Sequence, residues 1–311
     1  MLAAAPAAWA QQTAAVKHVA VTAIVQHPAL DSFRDGIKQE LDASGYKEGV
    51  NLKWEYQSAQ GNPGIAASIA RKFVGDGADV IVPITTPSAQ AVVAATRSIP
   101  VVYCAVTDPV AAQLVKDLSP SGTNITGVSD RLPLDKQIDL ILRIVPRAKR
   151  VGMVYNPGEA NSAVVVNELK ALLAARGMEL VESTAPRTID ITAAARNLVG
   201  KVDVIYTTTD NNVVSAYEAL VKVANDNKIA LIAADVDSVK RGAIAALGMD
   251  NHLLGRQTGK IVVRILKGEK PGNIPSEIAT AVQLFVNTKA ARQQGVTLSA
   301  ALIESAAQVV R

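Results

Sequence analysis

Short β-branched runs and longer amphipathic segments exchange along this chain with few interruptions. Residues 19–25 form an apolar run, and residues 30–44 then set Phe33, Ile37 and Leu41 on one helical face before Gly45. Residues 51–57 alternate like an edge strand. Residues 65–74 read as helix, 80–84 as a short buried strand, 88–97 as helix and 101–106 as strand. Alternation of this kind implies a parallel sheet covered by helices on both faces. The expected fold class is α/β, doubly wound.

The rhythm breaks over residues 107–126, where Pro109, Pro120 and Gly122 fall among small polar residues. This segment reads as the first crossing between two lobes. Beyond it, strands are expected at 125–128, 151–155, 180–184, 204–207, 230–233 and 243–247. Helices are expected at 135–144, 162–176, 191–198, 213–225 and 253–266, with a strand at 282–286 and a helix at 298–309 closing the chain. The halves echo one another: Ala78-Asp79-Val80-Ile81 returns as Val202-Asp203-Val204-Ile205, each before a helix and a second short strand. Two Rossmann-like lobes joined by a multi-crossing hinge are therefore expected. Residues 16–122 with 251–280 would make one lobe, and 123–250 with 281–311 the other.

A chain of 311 residues suits two domains of roughly 100–200 residues each. Hydrophobic residues are 49% of it, which supplies a core and excludes a disordered chain. The net charge of +4 is spread without a Lys/Arg block, and aromatics are 4%, so nucleic acid is not an expected partner. The lone Cys104 excludes an internal disulfide and a Cys-rich zinc site. His18, His27 and His252 have no metal-ligand spacing, and no metal or cofactor is expected.

Residues 1–15 stand apart as a disordered tail or an export-signal remnant. Ala8-Trp9-Ala10 before Gln11-Gln12 fits a small-x-small cleavage site. No cysteine lies at that junction, so a lipid anchor there is not expected. No later run reaches the roughly 18 apolar residues of a membrane span. The expected compartment is the periplasm.

In open α/β sheets, ligands sit beyond the carboxyl ends of the strands. Those ends supply Gln26, His27 and Pro28; Thr85, Thr86 and Ser88; Ala105 and Thr107; Ser129 and Asp130; Tyr155, Asn156 and Asn161; Asp210 and Asn211; and Asp235. Hydroxyls, amides and carboxylates are gathered there, with Arg131 the nearest basic residue. This supply suits a small ligand with a cationic group and does not suit a polyphosphate. Asp210 and Asp235 each follow an apolar strand and read either as helix N-caps or as partners of a ligand ammonium. Thr86, Ser88 and Thr107 would serve an anionic end. Tyr103, Tyr155 and Tyr206 lie near strand ends, where each either packs in the core or stacks on a ring. No Gly-x-Gly-x-x-Gly follows a strand, and no P-loop or Gly-x-Ser-x-Gly elbow is present. Catalytic residues are not expected, although His27 with a serine of the second lobe stays open as an enzymatic reading.

Gln26-His27-Pro28-Ala29-Leu30-Asp31 resembles the first-loop motif of the ABC transporter substrate-binding proteins that include tryptophan, tyrosine and phenylalanine binders. The resemblance continues through Asn124-Ile125-Thr126-Gly127-Val128, Tyr155-Asn156-Pro157-Gly158, Thr209-Asp210-Asn211 and Leu254-Gly255-Arg256-Gln257. It implies a type I periplasmic binding protein fold. It further implies a monomer that clamps a small ligand, an aromatic amino acid by preference, and docks on an ABC permease. Where family members often carry an aromatic pair before Leu-Gly-Arg-Gln, this chain has Asn251-His252. A ligand sensor feeding a receptor, built on the same fold, is the alternative.

Overall fold

The computed structural model describes residues 15–279 and 281–311. The expected export-signal remnant at Met1–Ala10 lies outside the described residues. In chain order the first sheet and its helices run β1 (Lys17–Ala23), α1 (Pro28–Ala43), β2 (Leu52–Ser58), α2 (Pro63–Gly75), β3 (Val80–Ile84), α3 (Thr86–Ala95), β4 (Val101–Cys104) and β5 (Ile125–Ser129). There follow α4 (Leu134–Ile144), β6 (Arg150–Tyr155), α5 (Ala160–Ala174), β7 (Glu179–Thr184), α6 (Ile191–Asn197) and β8 (Val204–Thr207). The second half continues with α7 (Asn211–Ser215), α8 (Tyr217–Asn227), β9 (Ala230–Ala233), α9 (Asp237–Arg241) and β10 (Ala245–Met249). The chain ends with α10 (Asn251–Leu266), β11 (Glu277–Ile278), β12 (Val282–Asn287), α11 (Thr288–Gln293), α12 (Ala300–Glu304) and β13 (Gln308–Val310).

The strands form two sheets, ordered β11-β5-β4-β3-β1-β2 and β13-β12-β10-β9-β8-β6-β7. Within each, the first five strands of the half take the same doubly wound order, 2-1-3-4-5, so the repeat in the sequence is a repeat in topology. Every strand pairing is parallel except β10–β12, so β12 and β13 run against the rest of their sheet. β3 and β4 are apolar and buried, and β1 is buried beyond Lys17, because helices cover both faces of their sheet. β2 sits at an edge and is half-exposed, as its alternating pattern foretold.

Beyond the short elements α9, β11 and α11, which were not expected, three points differ from the sequence-based expectation. β5 was expected in the second lobe, but it pairs with β4 through Val101↔Ile125 to Cys104↔Val128. The first crossing is thus the stretch between β5 and α4, and the Pro/Gly-rich segment after β4 stays with the first sheet. Residues 213–225 were expected as one helix and are two, α7 and α8, broken at Ala216. The closing helix at 298–309 is shorter: α12 ends at Glu304, and β13 pairs with β12.

The later crossings fall between β10 and α10 and between β11 and β12. α10 returns to the first sheet and packs tightly along α1. Glycine makes that approach feasible: a Cβ on Gly255 would lie 2.2 Å from the Phe33 carbonyl oxygen, and one on Gly36 2.2 Å from that of His252. Arg256 then reaches Glu40 on α1 with two donors at 2.9 and 3.0 Å. The Leu254-Gly255-Arg256-Gln257 motif is therefore a helix-docking device.

Candidate functional site

A doubly wound sheet parts its loops where the strand order reverses, between β1 and β3 in the first sheet and between β6 and β8 in the second. The two switch points face each other across a cavity of about 410 Å³, mouth included. His27, after β1, and Thr85 and Thr86, after β3, line one side. Asn161, on α5 after β6, and Thr209 and Asn211, after β8, line the other. Ala105, Thr107, Asp130 and Asp235 complete the polar wall. Ala29, Leu30 and Phe33 of α1 and Val214 of α7 give it an apolar side.

Five of these residues carry a buried polar atom with no protein partner: His27 Nδ1, Thr85 Oγ1, Thr86 Oγ1, Asp130 Oδ1 and Asn161 Oδ1. An unpaired buried donor or acceptor costs about 1–3 kcal/mol. Five on residues that line one cavity form a set that a polar ligand could satisfy. The backbone is strained at the same place. Thr85 has φ 70° and ψ 163°, and Ala105 has φ 54°. Left-handed values are unusual without glycine, most of all for a β-branched residue, and such outliers gather at ligand clamps. α1, α3 and α5 each point an N-terminus with no side-chain cap at the cavity or its rim. Their dipoles favour an anion there.

The titratable groups split in character. Burial, together with the nearby charge of Arg241, pushes the His27 imidazole down to about 3. It is neutral at physiological pH. Burial raises the Asp130 carboxyl to about 6, and the charge of Asp235 adds to the shift. Asp235 is well served by protein donors: Ser238 N–H at 3.0 Å, Ser238 Oγ at 2.8 Å and Asn251 Nδ2 at 2.9 Å. It still lines the cavity, as Asn251 does.

Seven expected site residues do not line the cavity. Gln26 and Pro28 are exposed beside it. Ser88 is buried on α3 with an unpartnered hydroxyl but outside the lining. Ser129 donates its hydroxyl to the Thr107 carbonyl at 3.0 Å and props the wall from behind. Tyr155 donates to Glu182 at 2.8 Å and so faces away. Asn156 shapes its own turn, accepting from Gly158 N–H at 2.9 Å. The clearest correction concerns Asp210. Its carboxylate accepts from Val213 N–H at 3.0 Å, Asn156 N–H at 2.7 Å and Ser162 Oγ at 2.6 Å. It caps α7 and ties it to the loop after β6, so the N-cap reading holds and the ammonium assignment does not. Glu159, beside it, receives Asn211 Nδ2 at 2.6 Å, and burial with the Asp210 charge raises its carboxyl.

The residues missed were Ala29, Leu30, Phe33, Thr209, Val214 and Asn251. Thr209 and Asn251 follow strand ends and obey the rule that found the others. The apolar four sit one or more residues inside a helix, where the sequence reads as ordinary core.

The match to the family model for ABC transporter substrate binding proteins runs over residues 18–310, nearly the whole described chain. The chain belongs to this family. A tyrosine-binding protein of Clostridioides difficile is 40% identical over 271 residues, 87% of this chain and 79% of the relative. The ABC domain from Streptococcus pneumoniae in complex with L-Trp is 33% identical, with a TM-score of 0.91, covering 95% of this chain and 100% of that one. The ligand-free, open structure of a substrate binding protein from Clostridium difficile is 39% identical, with a TM-score of 0.71, covering 95% and 99%. The poorer superposition thus goes with the higher identity. The family consists of substrate-binding components, which sets aside the enzymatic reading of His27.

Proposed function

We propose that this chain binds an aromatic L-amino acid between its lobes and presents it to the permease of an ABC importer outside the cytoplasmic membrane. The observation that carries the reading is the set of five unpartnered buried polar atoms on residues of both lobes that line one cavity. In this reading Asp130, with Asp235 behind it, meets the ligand ammonium. Thr85, Thr86 and the uncapped N-terminus of α3 meet its carboxylate. The tyrosine-binding relative and the tryptophan complex both support an aromatic side chain.

Closure follows from the two-sided contacts. A ligand that touches both lobes binds the closed state more tightly than the open one and shifts the population toward it. The magnitudes are adequate. An aromatic side chain buries about 150–250 Å², worth roughly 4–6 kcal/mol at about 25 cal/mol per Å². Charge-assisted hydrogen bonds at about 1.5–3 kcal/mol each then offset the cost of association. Among the described residues no helix is long and apolar enough to cross a membrane.

A thermal-shift panel on ligand-stripped protein tests the class of ligand. An aromatic amino acid at about 100 times its Kd adds about 2.7 kcal/mol of stability, a rise of roughly 5 °C for a protein of this size. A rise produced only by sugars, purines or polyamines would overturn the reading.

A further inference from the structure

A second cavity, of about 390 Å³ with its mouth included, adjoins the first and shares Thr107, Asp130 and Thr209 with it. Leu132, Leu134 at the start of α4, Val164 and Val165 on α5, and Ala234 after β9 give it an apolar wall, and Asp108 and Glu168 stand at its charged side. Arg131 also lines it, but Asp108 at 2.7 Å and Glu168 at 2.9 Å hold that guanidinium, so its charge is already matched. Two hydroxyl-bearing residues at the end of β8, Tyr206 and Thr208, line this cavity as well. Both residues are more than nine-tenths buried, and neither oxygen has a protein partner. Tyr206 packs on the sheet face covered by α4 and α5, while Ile205 packs on the other.

We infer that this second chamber receives the side chain of the ligand, and that the Tyr206 and Thr208 hydroxyls select a ring bearing a hydrogen-bonding group, a phenol hydroxyl or an indole N–H, over a plain phenyl ring. The inference rests on the aromatic amino acid reading and deepens it. The zwitterionic head belongs in the first cavity, where the unpartnered polar atoms and uncapped helix ends are. The side chain then passes the shared residues Thr107 and Asp130 into the apolar chamber. A ring with a polar edge would satisfy two otherwise unpaired hydroxyls; a phenyl ring would leave them unpaired. Sites built to bond a substrate hydroxyl or N–H reject the analogue lacking it far more strongly than apolar pockets reject a methylene.

Calorimetric titration of the ligand-stripped protein with L-tyrosine, L-tryptophan and L-phenylalanine tests this, on wild type, Tyr206→Phe and Thr208→Val. Wild type should bind tyrosine or tryptophan at least about tenfold more tightly than phenylalanine. Loss of one neutral hydrogen bond is worth about a factor of ten. Each variant should therefore weaken its preferred ligand by about tenfold and leave phenylalanine within about twofold. A wild-type preference for phenylalanine would overturn the inference. So would an unchanged preference ratio in both variants, as expected if the ring lay against Phe33 in the first cavity. If wild type binds no aromatic amino acid, the functional reading falls and takes this one with it.

Discussion

Asp130 and Asp210 look alike in the sequence, each a carboxylate just beyond a short apolar strand, yet they do opposite things. Asp210 is saturated by two backbone N–H groups and a hydroxyl, whereas Asp130 keeps one oxygen unpaired at the cavity wall. No local pattern separates them, because the difference lies in which N–H groups a distant loop brings near. Their variants should separate them. Asp130→Asn removes a charge-assisted contact and should weaken amino acid binding by about 10–100-fold in calorimetry, without loss of thermal stability. Asp210→Asn should instead cost stability, about 1–3 kcal/mol in urea unfolding. The acid limb of binding follows from Asp130 as well. Its carboxyl is raised from 3.8 to about 6 in the fold. Between those values the native state holds a proton that the unfolded chain has released, so this group's contribution to stability falls as pH rises from 4 to 6 and is constant above. A ligand ammonium favours the ionised form and must expel that proton below pH 6. The Kd should therefore rise by up to about tenfold per pH unit as pH falls below 6, and the slope should vanish in Asp130→Asn.

At the scale of elements, most strands and helices were legible because buried parallel strands and amphipathic helices carry distinct periods. What was illegible was partnership. Residues 125–129 read correctly as a strand, but nothing in Ile125-Thr126-Gly127-Val128-Ser129 says which sheet it joins; pairing with β4 is decided by residues about 24 positions away. The short β13 was hidden in an Ala-rich stretch with a helical period, and only its neighbour β12 makes it a strand. The α1–α10 crossing shows the reverse case, a motif visible in sequence whose purpose needed three dimensions. Gly255→Ala would force a Cβ to within 2.2 Å of the Phe33 carbonyl. Overpacking of this kind costs about 1–3 kcal/mol or more, and α1 carries His27, Leu30 and Phe33 into the cavity. The variant should lose both thermal stability and ligand affinity, while Lys260→Ala on the exposed face of α10 should lose neither.

The whole molecule joins two copies of one topology at three crossings, and Arg131 sits on the first of them. It bonds Asp108 from the first lobe and Glu168 on α5 from the second, so the two lobes share an ionic tie at the hinge. Both pairs are partly exposed, which makes them weak and salt-sensitive. Glu168→Gln should move the ligand-free protein toward a larger radius of gyration in solution scattering and weaken binding by a few-fold. High salt should produce the same change in wild type and little further change in the variant. The general site was legible at this scale from one rule, that ligands sit beyond the carboxyl ends of strands at switch points. That rule found nine of the residues lining the cavity and could not tell lining residues from the scaffold behind them. Calorimetric titration of the ligand-stripped protein with L-tyrosine, beside tyramine and N-acetyl-L-tyrosine, tests the central claim most directly. L-Tyrosine should bind and each analogue should lose at least about tenfold, because tyramine lacks the carboxylate and N-acetyl-L-tyrosine the ammonium. Equal binding of all three would contradict a clamp built on Asp130 and the N-terminus of α3.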